Sequence, residues 1–330
     1  MSVMKHFHFP VFILWLSAAL VSCRLDKPEP LPQEPTYSVR LNVDCERTIQ
    51  EADEPLTMVK GAPYDLYAVQ VYKKGVTGNY GKYAYGIFDN ENDMVLDLPA
   101  GSTYKIEMTM VPNGVSVIAK GENGGYREPF MTGGFDAGPG KVTRAFTQSF
   151  SSYINKMNSG YAMLIGEGAE PAGYNRPPVS RFYGVVDNFT PTENSSLTIA
   201  LKWVCFALTI VPEEFTEGSI EIEMEGAPML TLTPGNPGAI TKKIFTFAHS
   251  LSSEDWTDDN YSETVPISIT WVKGDGTKVV LRDRSNPTVI KRRYNKIFTL
   301  PCGDAAPKGN ITITKEDEIL IDEVETVARP

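Results

Sequence analysis

Of the three histidines in this 330-residue chain, His6 and His8 fall in the first ten residues and His249 stands alone after an alternating apolar run. A lone histidine with no nucleophile or acid in local support reads as structural. No GxSxG stretch and no Ser-His-Asp or Cys-His arrangement offers a nucleophile. Cys45, Cys205 and Cys302 sit at spacings that match no metal or redox motif, and no histidine or cysteine pair has ligand spacing. Two loops are rich in oxygen ligands, Asp89-Asn90-Glu91-Asn92-Asp93 and the group Asp255, Asp258 and Asp259. Neither follows the calcium-loop pattern, and both read as solvated turns. Glycine pairs fall between strand-like runs rather than ahead of a helix, so they cradle no phosphate. A hydrolase built on two distant carboxylates needs no local motif, but short turns leave little material for a deep pocket. The residues therefore indicate no catalytic group, no metal and no cofactor.

The chemistry the sequence does offer lies near its start. Lys5 is followed by an apolar run from Phe7 to Leu20, and the run closes at Leu20-Val21-Ser22-Cys23. A charged region, an apolar core too short for a comfortable span and a small-residue zone are the order of a signal peptide, here residues 1–22. Leu-Val-Ser-Cys resembles the lipobox of bacterial lipoprotein precursors, which implies that the Cys23 thiol receives diacylglycerol before cleavage leaves it N-terminal. Two or three acyl chains of the palmitate kind, at about 0.8 kcal/mol per buried methylene, hold a chain durably at a membrane. Residues 23–35, CRLDKPEPLPQEP, carry repeated prolines and read as an extended tether. The formal net charge of −10 repels phosphate backbones and argues against a nucleic-acid partner.

Beyond the tether, alternation with period two recurs wherever glycine and proline do not interrupt it, and no segment carries a convincing amphipathic helix. Tyr37 to Val43, Leu66 to Tyr72, Met94 to Leu98 and Tyr104 to Met110 alternate, with Asn113-Gly114, Gly124-Gly125 and Gly133-Gly134 as turn signals. Residues 36–186 are expected to form one β-sandwich, in which 133–180 is the least regular part. The apolar run 197–211 is expected to be one long, bent central strand opening a second sandwich over 187–330, with Glu221 to Glu225 exposing its acids and Gly274-Asp275-Gly276 turning a hairpin. Cys205 reads as a small buried hydrophobe, able to reach Cys302 only if their strands are neighbours. Ile311-Thr312-Ile313-Thr314 and Glu318 to Val324 have strand character with no evident partner, which invites an edge of the same molecule or the sheet of another.

This layout resembles the fimbrillin superfamily, the subunits of type V pili and related cell-adhesion lipoproteins. The residues that carry the resemblance are the Cys23 motif with its tether, the Tyr37 to Val43 strand, LYAVQVY at 66–72, the apolar strand at 197–211 and the closing run Arg293 to Leu300. The resemblance implies an all-β fold of two tandem transthyretin-like β-sandwiches. It also implies a non-enzymatic surface protein on an outer-membrane lipid anchor, which assembles with itself or related subunits by β-strand exchange. Further partners would be receptors or glycans on host or bacterial surfaces. In such proteins a trypsin-like protease cuts just beyond the first strand, and Arg47 matches that place; Ile311, Ile313, Ile319 and Ile321 would lie in donor strands. No strong terminal tryptophan motif is present and Cys45 is unexplained by the resemblance, so an uncut anchor, tip or accessory subunit is equally in view. The competing reading is a glycan-binding lipoprotein of a polysaccharide uptake system, with Tyr80, Tyr83, Tyr85 and Tyr126 as stacking platforms.

Overall fold

The computed structural model describes residues 34–45, 64–166, 170–193, 195–235, 241–248, 251, 258, 260–303 and 321–326, the last as backbone. The fold is all-β, as expected. Among the described residues the helical segments are three short turns, Glu91–Asp93, Gly114–Val117 and Gly134–Asp136. Thr36–Pro330 forms a compact unit of its own, apart from Met1–Pro35.

The first half is built from β1 (Thr36–Cys45), β2 (Leu66–Lys74), β3 (Tyr80–Phe88), β4 (Val95–Pro99) and β5 (Tyr104–Val111), joined by Phe182–Phe189, Ser196–Trp203 and the short Thr147–Gln148. These make one eight-stranded sheet, in the order β4, β1, Ser196–Trp203, Phe182–Phe189, β5, β2, β3, Thr147–Gln148. The sheet turns a corner between Phe182–Phe189 and Ser196–Trp203, which share only the pairs Phe182 with Trp203 and Tyr183 with Lys202. Gly184 sits in that corner, where a Cβ would lie 2.3 Å from the Ala200 carbonyl oxygen, so the close approach requires glycine. Folded over in this way, the sheet encloses one core fed from both arms: Val39, Leu41, Leu96 and Ile199 from one, Val69, Val71, Ile106 and Met108 from the other.

The alternation of Leu66 to Tyr72 suggested a strand with one wet face, but β2 is buried on both through Val71. The irregular stretch from Gly114 to Val179 covers the outer face, packing Ile118, Phe130, Ile154 and Leu164 against Leu66, Ala68 and Ile87. Gln70 is polar on that covered face and is fully used: its amide NH2 donates to the Ala84 carbonyl, and its side-chain oxygen accepts the Ile154 N–H at 2.9 Å.

The expected single strand over 197–211 is two strands, Ser196–Trp203 and Cys205–Glu213, which belong to different sheets. Val204 breaks them apart because its N–H donates to the Arg181 carbonyl and its own carbonyl accepts the Phe247 N–H. A boundary at 186/187 would cut through Phe182–Phe189, so the change from one set of sheets to the other falls at Val204 instead. Beyond it lie two four-stranded sheets. One runs Thr241–Thr246, Cys205–Glu213, Tyr294–Pro301, Ile321–Thr326; the other runs Leu230–Leu232, Ser219–Met224, Ile267–Val272, Lys278–Arg282. Phe206, Leu208, Phe245 and Phe298 from the first share a core with Ile220, Ile222, Ile269 and Trp271 from the second, which makes this half a two-layer sandwich. Ile220, Ile222 and Met224 point inward while Glu221 and Glu223 stay outside, and Gly274 to Gly276 close the expected hairpin.

Charged side chains hold the junction of the halves. Arg181 is fully buried, donating to Thr109 Oγ1 at 3.0 Å and to the carbonyls of Ser159 and Met157 at 2.5 and 2.7 Å. Burial pushes its guanidinium down to about 9, which still leaves it charged at neutral pH. Arg176 pairs with buried Glu263, which also accepts the Tyr261 hydroxyl at 2.8 Å, and buried Arg292 donates to the Trp203 carbonyl at 3.1 Å.

Candidate functional site

β1 is the feature whose placement has chemical consequences. Its sequence, TYSVRLNVDC, alternates β-branched and leucine side chains with polar ones, and the structure follows that pattern: Val39, Leu41 and Val43 are buried while Ser38, Arg40 and Asp44 face out. Two neighbours hold it. Arg40 to Cys45 pair parallel with Ser196 to Leu201, and Thr36 to Arg40 pair antiparallel with Pro99 to Val95. β1 is thus an interior strand, and β4 lies in the sheet only through it.

Polar contacts on the outer side fix the register. The Ser38 hydroxyl donates to Asp97 at 2.5 Å, the Leu41 N–H donates to the Met94 carbonyl at 2.9 Å, and Arg40 reaches the Asn92 carbonyl at 3.3 Å. The 91–93 turn is itself set by Asn90, whose side-chain oxygen accepts the Asn92 N–H. The oxygen-rich loop at 89–93 is therefore a capped turn against β1, with Asp89 facing Arg144 at 3.6 Å. A cavity of about 40 Å³ remains between this turn and the strand, lined by Arg40 to Val43, Glu91 and Asn92.

At the far end of β1, half-buried Cys45 lies near the Tyr67 hydroxyl, beside a buried carboxyl. Asp65 accepts the Asn113 N–H at 3.1 Å, and burial pushes its carboxyl above its ordinary value. The Tyr67 hydroxyl is held far above its usual range, first by burial and then by the charges of Asp65, Glu91 and Cys45. Among the described residues no group of three or more histidine, cysteine or acidic side chains could hold a metal ion.

Several residues singled out in the sequence, Cys23, Arg47, His249, Asp255, Asp259, Ile311, Ile313 and Ile319, lie outside the described residues. Ile321 opens the strand Ile321–Thr326, which pairs parallel with Tyr294 to Thr299 at the edge of its sheet. The terminal segment thus finds its partner within the molecule. Cys205 and Cys302 are both buried and are not bonded to each other. Their strands are neighbours but parallel, with Cys205 at the start of one and Cys302 opposite Glu213 at the end of the other, roughly 25 Å apart at 3.3 Å per residue. Burial pushes the Cys205 thiol up to about 12. Tyr83, Tyr85 and Tyr126 are buried and present no platform to solvent; Tyr80 alone of that set is half-exposed. The arginines of the junction escaped sequence reading, because nothing local distinguishes a buried arginine from a solvated one.

No protein-family model matches the sequence, and no curated protein matches it. Solved structures that are similar in shape include a candidate adhesin from Bacteroides ovatus, 12% identical, covering 88% of this chain and 94% of its own at a TM-score of 0.35. A candidate polysaccharide-binding protein from Bacteroides thetaiotaomicron is 14% identical, covering 74% and 79% at 0.34. The fimbrial anchor protein Mfa2 from Porphyromonas gingivalis is 11% identical, covering 74% and 81% at 0.33. At these scores the likeness is one of distant shape and carries no function across.

Proposed function

We propose that this chain is a non-catalytic cell-surface lipoprotein, held by acylated Cys23, that joins a fimbria or related adhesive assembly by exchanging a β-strand at the place now filled by β1. The observation that carries the reading is the position of β1: an interior strand with three buried apolar side chains, two or so residues ahead of Arg47. A cut after Arg47 would leave β1 held by hydrogen bonds and packing alone. Its departure would bare Val39, Leu41 and Val43 sites and unpaired backbone on both β4 and Ser196–Trp203. An incoming strand with small apolar residues at every second position satisfies both needs, and its backbone must run parallel to Ser196–Trp203. The terminal strand Ile321–Thr326 is a donor in this scheme once it leaves Tyr294–Pro301, where it now adds an edge. Glycan binding is the weaker reading, since three of its four tyrosines are packed in the core.

Mild digestion of the mature protein with a trypsin-like protease, followed by mass spectrometry and an unboiled gel, tests this. A cut after Arg47 with a ladder of stable oligomers is expected of a strand-exchanging subunit. Cleavage there that yields only monomers which keep β1 bound would sink the exchange reading.

A further inference from the structure

The strand directions sort the first half into two poles. Thr36 lies opposite Pro99, Tyr104 lies opposite both Phe189 and Lys73, and Lys74 lies opposite Tyr80. The start of β1, the β2–β3 hairpin, the β4–β5 turn and the turn after Phe189 therefore share one pole. At the other pole stand Cys45, Leu66, Phe88, Phe182 and Trp203, and from there the chain continues into the second half. The chain enters its folded body at one pole and carries its second sandwich at the other.

The pole of chain entry has a layered surface. At its tip the hairpin turn is tight, with the Gly75 N–H donating to Asn79 at 2.8 Å and Gly78 at a φ of 85°. That turn holds Val76 out with its side chain wholly exposed, the most exposed large apolar residue described. One step back is a belt of tyrosine and lysine. The Lys74 ammonium lies 5.7 Å from the Tyr80 ring, and Lys105 lies 4.5 Å from Tyr72 and 5.9 Å from Tyr80. The Tyr80 hydroxyl donates to Asp187 at 2.5 Å, and Lys74 donates to Asn188 at 3.2 Å. Lys73 and Lys82 complete the cations; Lys105 is paired with Glu107 at 2.7 Å, and Glu34, Asp97, Asp187 and Glu193 are the other acids of this pole. In a chain with a formal charge of −10 this region carries the two signs in nearly equal number, Lys73, Lys74, Lys82 and Lys105 against Glu34, Asp97, Glu107, Asp187 and Glu193.

An apolar tip followed by tyrosine and long basic side chains is the order of chemistry met on entering a bilayer from water, since rings and snorkelling ammonium groups prefer the headgroup level. We propose that this pole docks on a lipid surface, with Val76 inserted and Tyr80, Lys73 and Lys74 at the headgroups, so that the second sandwich points away from the membrane. The proposal rests on the reading that Cys23 is acylated. A segment from Arg24 to Pro35, at about 3.1 Å per residue, reaches at most about 40 Å, which brings the body within contact of the bilayer.

The test uses full-length lipidated protein bound to phosphatidylethanolamine and phosphatidylglycerol vesicles that carry spin-labelled acyl chains. A fluorophore is placed at Val76→Cys or, on the second sandwich, at Val280→Cys, with protein lacking either substitution as the background. Docking predicts strong quenching of the label at position 76 and none at 280, and a Val76→Asp, Tyr80→Ala variant with its label at Lys74→Cys should lose the quenching seen in its parent while still floating with vesicles. Equal quenching at 76 and 280, or none at either while the protein floats, overturns the docking and leaves the anchor standing. If wild-type protein fails to float and behaves as a Cys23→Ala variant does, the acylation reading falls and the docking with it.

Discussion

Leu41 is 1% exposed in the middle of β1, between buried Val39 and Val43 and in register with Leu197 of the neighbouring strand. Leu41→Ala removes three carbons from a core closed on both arms of the curled sheet, where the surrounding ladder resists collapse into the space. Buried Leu→Ala changes cost about 2–5 kcal/mol, and a fully enclosed strand interior argues for about 3 kcal/mol or more. For a protein of this size each kcal/mol moves the melting midpoint by about 2–4 °C, so a fall of roughly 6–12 °C is expected. Arg40→Ala is the matched control. Arg40 is exposed and donates one 3.3 Å hydrogen bond to the Asn92 carbonyl, so its loss should stay within about 0.5 kcal/mol. Urea melts of both variants, followed by tryptophan fluorescence, measure the difference. If the two midpoints agree within error, β1 does not close the core and the reasoning about its exchange has no energetic basis.

Other consequences follow from the same contacts. Arg181→Met should cost more than about 3 kcal/mol, because it strips charged donors from buried Thr109, the buried Met157 carbonyl and the half-buried Ser159 carbonyl; equal solubility and an unchanged urea midpoint would contradict that. Gly160→Ala should destabilise severely, since a Cβ there would lie 1.6 Å from the Phe247 carbonyl oxygen, and an unaltered melting curve would show that the junction is loose. Asp65 has a folded pKa raised above its ordinary 3.8, so its contribution to stability is present below that value and is lost as pH rises through the folded pKa. Asp65→Asn should therefore flatten the decline of stability with pH above 3.8, and a variant whose urea midpoints track the wild type across that window would refute the assignment. Native alkylation at pH 8 should reach Cys45 first and leave Cys205 and Cys302 unlabelled until the chain unfolds, a pattern that peptide mapping reads directly.

The strands that bear most on the proposed function were the ones most legible in the sequence. β1 and Ser219–Met224 have one wet face, and their period-two alternation states that plainly. β2 has none, because 114–179 lies over it, and nothing in LYAVQVY distinguishes a strand covered by its own chain from one facing water. The run at 197–211 reads as one strand because the break at Val204 is made by the distant carbonyl of Arg181 and the N–H of Phe247, not by glycine or proline. Parallel pairing of β1 with Ser196–Trp203, more than 150 residues later, is equally invisible to local pattern. The order of strands decides whether β1 is an exchangeable interior strand or an ordinary edge, and order is set by long-range pairing.

A chain produced without residues 24–47, melted alone and with a synthetic peptide of sequence TYSVRLNVDC, tests the exchangeable strand most directly. A poorly folded or oligomeric protein is expected, which the peptide converts to a stable monomer in a saturable way, with no effect from a peptide bearing aspartate in place of Val39, Leu41 and Val43. A shortened chain that melts at the temperature of the full one, unmoved by the peptide, would contradict it.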